Sequence, residues 1–259
     1  MLKIAIMGAG RMGSLIRSTA ETMRDAAGEA IFDVAFQVDR DLSDLDSAPA
    51  VDVLVDFSHA SCLEAVVAYA RRSGAALVCG TTGLTAAQMG SLRALGAHAA
   101  VLHSGNYSIG IAALRHLVGQ AARELPGFDV EIVECHHNKK VDAPSGTAKL
   151  LLDTVLSEKN AASAATCAPT DATVGGYRPV YGREGRCGAR DEREVGVHAL
   201  RGGTVAGVHT VSFFGTDEEL SLTHRATSRQ IFVDGALAAA LKLADREPGF
   251  YTFDEIMFA

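Results

Sequence analysis

Five short segments in the first two-fifths of the chain, KIAIM, FDVAFQV, VDVLVDF, AALVCG and AAVLHS, are apolar on both faces over most of their length. A strand that buries both faces needs cover above and below, which is the setting of a parallel sheet with helices on either side. The stretches between them supply that cover. Met12, Leu15, Ile16, Thr19 and Met23 recur at helical spacing, and further helices are expected near 60–72 and 85–96. Strands alternating with helices predict an α/β fold, a Rossmann-like doubly wound parallel sheet.

The pattern changes after Asn106. IGIAALRHLVGQAARELP reads as a helix closed by Pro126, DVEIVECHH as a strand, and a helix is expected from about Gly146. Residues 160–192 are rich in Ala, Gly, Pro and Arg with little periodicity, and are expected to form a long excursion. REVGVHALRGG, TVAGVHTVSFFG and DEELSLTHRAT alternate in the manner of antiparallel strands with glycine turns between them. IFVDGALAAALKLA returns to the earlier helical pattern. The expected organisation is a dinucleotide-binding domain, 1–107 and 230–259, interrupted by an α+β domain with an open mixed sheet at 108–229.

A chain of 259 residues suits one large domain or two small ones. Its net charge of -7 argues against nucleic-acid or anionic-membrane partners, since both require a positive field. Cys62, Cys79, Cys135, Cys167 and Cys187 are odd in number, scattered and never in a C-x-x-C pair, as expected of reduced thiols in a cytosolic protein. No apolar run reaches transmembrane length, and LKIAIMGAG begins with no sign of a targeting segment. A cytoplasmic protein is therefore expected.

IMGAGRMG places Gly8, Gly10 and Gly13 in the G-x-G-x-x-G spacing, after a strand and at the start of a helix. The first glycine allows the tight turn, the second lets backbone approach a pyrophosphate, and the third lets helix and strand pack closely. The helix start then attracts phosphate. Such a match alone is weak, but the second strand ends in Asp39, where a carboxylate would accept ribose hydroxyls. Dinucleotide binding is the preferred reading. Arg40 beside Asp39 could take an adenosine 2′-phosphate that the Asp would repel, so the pair suggests tolerance of NADH and NADPH. A solvated loop role for Arg40 is the equal alternative. CGTTG at 79–83 and HSGNYS at 103–108 also follow strands, where ligands of open α/β sheets bind.

ECHHNKKVDAPSGTA, residues 134–148, gathers two histidines and two lysines ahead of a helix start. A metal site is disfavoured, because Cys135, His136 and His137 are contiguous and strand neighbours face opposite sides. A solvated charge run is the commoner origin of such clusters. The third reading is an acid/base and anion-binding site. Ser145, fixed by Pro144, is a good N-cap, leaving the amides of Gly146 and Thr147 at the helix start beside lysines, a carboxylate site. A dinucleotide loop in the same chain favours this third reading.

GAGRMG, VDFS, CGTTG, GNYSIG, ECHHNKKVDAPSGTA, YGREG and HRATSR, in this order, resemble the dihydrodipicolinate reductase (4-hydroxy-tetrahydrodipicolinate reductase) family of bacterial lysine and diaminopimelate biosynthesis. The resemblance spans nearly the whole chain. It implies reduction of the cyclic dicarboxylate (2S,4S)-4-hydroxy-2,3,4,5-tetrahydrodipicolinate to tetrahydrodipicolinate by NADH or NADPH. It implies His136 as proton donor and acceptor, Lys140 as proton donor, and His137 with the Gly146 and Thr147 amides as holders of substrate carboxylates. Arg229 is implied near the substrate. Gly8, Ala9, Gly10, Arg11, Met12, Gly13, Asp39, Arg40, Gly80, Thr81, Thr82, Ser104, Gly105, Asn106 and Tyr107 are implied to line the cofactor, and the assembly is implied to be a homotetramer. Two features depart from the pattern: the glycine loop is one residue shorter than in many members, and Lys139 stands where others vary. Another NAD(P)-dependent reductase of a small carboxylic substrate, or a non-catalytic dinucleotide sensor, would use some of the same parts.

Overall fold

A computed structural model describes residues 1–39, 43–166 and 176–258, so Arg40, Cys167 and the middle of the expected excursion lie outside the described residues. The chain divides into two compact units, Met1–Ile109 with Arg229–Ala259, and Gly110–Ser228.

The first unit is built on a parallel sheet. Strands β1 (Leu2–Met7), β2 (Phe32–Val38), β3 (Val53–Asp56), β4 (Ala76–Cys79) and β5 (Ala100–His103) fall on the five apolar runs. Every residue of β3 and β4 is buried, as a doubly covered sheet requires. Helices α1 (Arg11–Thr22), α2 (Leu63–Ser73) and α3 (Ala86–Leu95) alternate with them. Gly74 ends α2 in the left-handed conformation, and Thr85 opens α3 with a reciprocal Thr85–Gln88 capping box.

Helix α4 (Ile109–Glu124) ends at Glu124, and Pro126 follows, as read from the sequence. The second unit is a mixed sheet of β6 (Asp129–His136), β7 (Arg178–Tyr181), β8 (Glu194–Arg201), β9 (Gly207–Phe214) and β10 (Glu219–Ala226), with α4 and α5 (Gly146–Thr166) packed on it. Val130, Ile132, Val195, Val197, Val211 and Phe213 face those helices and are buried.

Two expectations need correction here. The last three strands do not form an antiparallel meander: the order is β10-β9-β6-β8-β7, so β6 lies between β8 and β9 and pairs parallel with β8. Only β9 and β10 are antiparallel sequence neighbours. The stretch 160–192 is also more regular than expected, because α5 runs on to Thr166 and β7 adds a parallel edge strand beside β8. Four residues of strand are too few to show a period, and Ala-rich sequence carries little amphipathic signal.

Helix α6 (Gln230–Leu243) returns to the first unit. After it, β11 (Gly249–Tyr251) adds a sixth parallel strand beside β5, and α7 (Phe253–Phe258) closes the chain. Neither β11 nor α7 was anticipated from the sequence. No helix among the described residues is long and apolar enough to cross a membrane.

Candidate functional site

In the first unit β1 pairs with β2 on one side and β3 on the other. This is the switch point of the sheet, where the C-terminal strand ends open a crevice. The glycine turn is pinned from both neighbours: Gly8 N–H donates to Val38 O at 2.7 Å and Phe57 N–H donates to Met7 O at 2.9 Å. Asp39 Oδ1 accepts from the Ala9 amide at 3.3 Å. Gly8 sits at φ +98, and a Cβ on it would meet Phe57 O at 2.6 Å. A Cβ on Gly13 would lie 1.9 Å from Gly8 O, whereas one on Gly10 would meet nothing within 4 Å. Helix α1 begins at Arg11 with no side-chain cap. An uncapped helix start, an open approach at Gly10 and a carboxylate at the end of β2 fit a nicotinamide dinucleotide.

The other cofactor-side residues divide into surface and support. Ala9, Gly10, Arg11, Asp39, Thr82 and Gly105 are exposed; Met12, Gly80, Ser104 and Asn106 are half-buried. Thr81 is buried: its Oγ1 accepts from the Ser58 amide at 3.1 Å, and its carbonyl bonds His103 Nε2 at 3.1 Å. Ser104 Oγ donates to Asn106 O at 2.6 Å and fixes that loop. Tyr107, expected to line the cofactor, instead lies beneath the loop. Its side chain is 2% exposed, its hydroxyl donates to Cys79 O at 2.8 Å, and its ring packs on Phe57 and Phe253. Asp56 was given no role from the sequence, yet it is fully buried and accepts from Ser58 N–H, Ser58 Oγ and Cys79 Sγ. Burial, with Asp56 adding to it, pushes the Cys79 thiol far up, so it stays protonated. The signal was a carboxylate closing an otherwise aliphatic run.

In the second unit, β6 alternates so that Val130, Ile132, Glu134 and His136 share the inward face. The face is apolar at its start and polar at its end. Glu134 is completely buried and takes four N–H donors on two oxygens. Arg201 forks onto both at 2.9 Å, the Ser145 amide donates to Oε1 at 3.1 Å, and His136 Nδ1 lies 2.5 Å from Oε2. Burial pushes the carboxyl up, but the Arg201 fork, His136 and the Ser145 amide outweigh it and hold Glu134 below the usual carboxylate range. It is a carboxylate at any ordinary pH.

His136 is 9% exposed and meets the ring of His209, on β9, edge to face at 5.2 Å. His209 Nε2 bonds Ser145 Oγ at 3.0 Å, and burial first, then the neighbouring His136, pushes its imidazolium down to about 4. His209 is therefore neutral near pH 7. Ser145 caps α5 as read from the sequence, with Oγ accepting from the Ala148 amide at 3.2 Å. Gly146 is exposed and Thr147 half-buried in that first turn. Lys140 Nζ pairs with Asp142 Oδ1 at 2.7 Å, and that bond holds Asp142 below its usual range. His137 is half-buried just past the strand, and Lys139 is exposed. The structure thus brings His136, Ser145 and the start of α5 together around Glu134. It places Arg229, exposed, at the foot of α6.

Sequence reading missed Glu134, Arg201 and His209 as partners. Arg201 and His209 lie 67 and 75 positions from Glu134, and only strand register joins them: Glu134 stands opposite His209, and His136 opposite Arg201. A glutamate on the inward register of a strand was the one available signal.

Comparison with known proteins follows the same division. The dihydrodipicolinate reductase N-terminal family matches residues 2–107 and the dihydrodipicolinate reductase C-terminal family residues 110–257. A 4-hydroxy-tetrahydrodipicolinate reductase of Halorhodospira halophila is 37% identical over 275 residues, covering 99% of this chain and 98% of that protein. Its counterpart from Exiguobacterium sp. is 34% identical, covering 98% and 95%. Among solved structures, dipicolinate-bound dihydrodipicolinate reductase from Paenisporosarcina sp. superposes with a TM-score of 0.73 at 22% identity, over 99% of this chain and 100% of that one. GenD2 from gentamicin A biosynthesis, in complex with NAD, reaches 0.55 at 14% identity, over 98% and 90%. These two show the fold.

Proposed function

The chain belongs to the dihydrodipicolinate reductase family, and from that premise we infer that it is an NAD(P)H-dependent oxidoreductase reducing (2S,4S)-4-hydroxy-2,3,4,5-tetrahydrodipicolinate to tetrahydrodipicolinate. The observation that carries this reading at the site is the buried Glu134–His136 pair beside a Ser145-capped helix start, within the same segment that holds Lys140.

The nicotinamide, when bound, would supply hydride to the conjugated ring formed once the substrate's 4-hydroxyl has left as water. Gly8 to Gly13, Asp39, the Gly80 to Thr82 loop and Ser104 to Asn106 would hold that cofactor. Lys140, His137 and the amides of Gly146 and Thr147 supply positive charge and N–H donors for the two substrate carboxylates. Lys140 would exchange its partner Asp142 for a substrate carboxylate and would serve, with His136, as a proton donor. Reduction leaves an electron-rich enamine carbon, to which His136 delivers a proton. The direct test mixes purified protein with NADH or NADPH and freshly prepared hydroxylated substrate. Loss of reduced-nicotinamide absorbance that depends on that substrate is expected, and its absence would leave the sensor reading standing.

Asp39 would accept the ribose hydroxyls of NADH, whereas Arg40, the residue that could take a 2′-phosphate, lies outside the described residues. Asp39→Ser removes the acceptor for the ribose hydroxyls. A lost hydrogen bond to a charged group of about 1.5–3 kcal/mol predicts a KM for NADH raised roughly tenfold or more, with KM for NADPH unchanged or lowered. Equal changes for the two would place the adenosine ribose elsewhere.

The same reading includes a homotetramer in the cytoplasm. The tetramer is carried over from the family resemblance, and the second unit offers open apolar surface around Pro144, Tyr181 and Leu200, with Tyr181 61% and Leu200 53% exposed. Apolar surface of this kind favours contact with another chain. Light scattering should report about four times the 27.1 kDa chain mass, and Leu200→Glu should lower it.

A further inference from the structure

We propose that Glu134, clamped by Arg201, is a positioning residue that fixes His136 with a proton on Nδ1 and presents Nε2 as its proton-donating atom. The inference rests on the assignment of His136 as the acid, and it adds the atom, the orientation and the residues that set them.

The geometry leaves few alternatives. Nδ1 faces Glu134 Oε2 at 2.5 Å, and a carboxylate there can only accept, so Nδ1 carries the hydrogen. Nε2 makes no hydrogen bond among the described residues. A Cβ at Gly207 would stand 3.2 Å from it, so glycine at that position keeps this nitrogen uncovered. Backbone bonds hold the ring's base: Gly202 N–H donates to His136 O at 2.9 Å.

Arg201 keeps Glu134 from taking the proton itself. With both oxygens in the guanidinium fork and a third donor from Ser145, the carboxyl is held below its usual range and stays an acceptor for the Nδ1 hydrogen. The proton leaves Nε2 for the enamine carbon, the N–H bond breaks as the C–H bond forms, and neutral imidazole remains with its hydrogen on Nδ1. Water then restores the Nε2 proton.

The charges facing His136 come from every element around it. Glu134 lies on its own strand and Arg201 on β8. His209 lies on β9 with His224 beyond it on β10, and Lys140 and Asp142 lie on the following loop. Because His209 stays neutral, it adds a ring edge and no second positive charge. Arg201 is matched by Glu134 and by the Asp142 carbonyl at 2.7 Å, and Lys140 by the Asp142 carboxylate. Glu134 is thus the anion in contact with the imidazolium.

Glu134→Gln keeps the shape and removes the charge. Its one remaining oxygen is claimed by Arg201 and the Ser145 amide, so the Gln amide NH2 is left facing Nδ1 and turns the ring hydrogen onto Nε2. Turnover at neutral pH should fall about tenfold or more, with KM for NAD(P)H unchanged. Arg201→Lys, which retains charge but not the fork, should give a smaller drop in the same direction. Wild-type turnover in Glu134→Gln, with His136→Ala slow, would overturn the positioning role alone. A His136→Ala enzyme of undiminished turnover would overturn the acid assignment and this inference with it. If Glu134→Gln does not fold, nitrogen NMR of the labelled wild-type protein decides: neutral His136 should hold its hydrogen on Nδ1, and a hydrogen on Nε2 instead would refute the proposal.

Discussion

Replacing His136 with alanine is expected to lower kcat by about 10²–10⁴-fold, the usual contribution of a positioned proton donor, while KM for NAD(P)H stays within about twofold. The separation follows from the architecture. His136 ends β6 in the second unit, whereas the glycine turn, Asp39 and the loops after β4 and β5 belong to the first. Removing the imidazole leaves Glu134 with Arg201 and the Ser145 amide, so three of four donors persist and the carboxylate remains satisfied. The variant should fold, and steady-state kinetics with each substrate varied in turn reads the split. Lys140→Ala should also slow turnover, but with KM for the dicarboxylate raised, because its ammonium is assigned to a substrate carboxylate. A His136→Ala enzyme with wild-type kcat would remove the acid from the mechanism.

The second large effect concerns the glycine turn, where substitution at either of two glycines one turn apart should weaken cofactor binding but at only one of them should cost stability. Gly13→Ala drives a Cβ to 1.9 Å from Gly8 O, backbone against side chain, and neither can yield without displacing α1 from β1. Overpacking of this kind costs about 1–3 kcal/mol or more. The displaced loop should weaken NAD(P)H binding on the order of 100-fold. Gly10→Ala meets nothing within 4 Å. The variant should therefore melt with the wild type yet bind cofactor less well, because the only thing its methyl can strike is the ligand. Calorimetric titration with NADH, alongside thermal unfolding of each variant, distinguishes the two. Unaltered affinity in Gly10→Ala would mean that no pyrophosphate comes near this turn.

Much of this was readable before any coordinates. The sheet strands β1, β3, β4 and β5 announced themselves because a strand buried on both faces over most of its length is aliphatic there, a local property of four to six residues. Strand β2, by contrast, is a half-buried edge strand that carries Asp33 and Gln37. Ser145 was readable as a cap because capping is settled within one turn of helix. Tyr107 was misplaced for the complementary reason. An aromatic in a ligand loop can point outward or plug the core beneath, and here Phe57 and Phe253, 50 residues before it and 146 after it, provide the plug's socket.

From its sequence alone this protein had most of its helices and strands, its glycine turn and the segment carrying its proton carriers, because each is encoded by neighbours along the chain. The tertiary structure alone decided that β6 inserts between β8 and β9, and with it which side chains meet. Arg201 arrives from one neighbouring strand and His209 from the other to surround Glu134 and His136. Strand order is a matter of pairing between distant segments, and one residue of slip in either pairing would turn those partners to the opposite face.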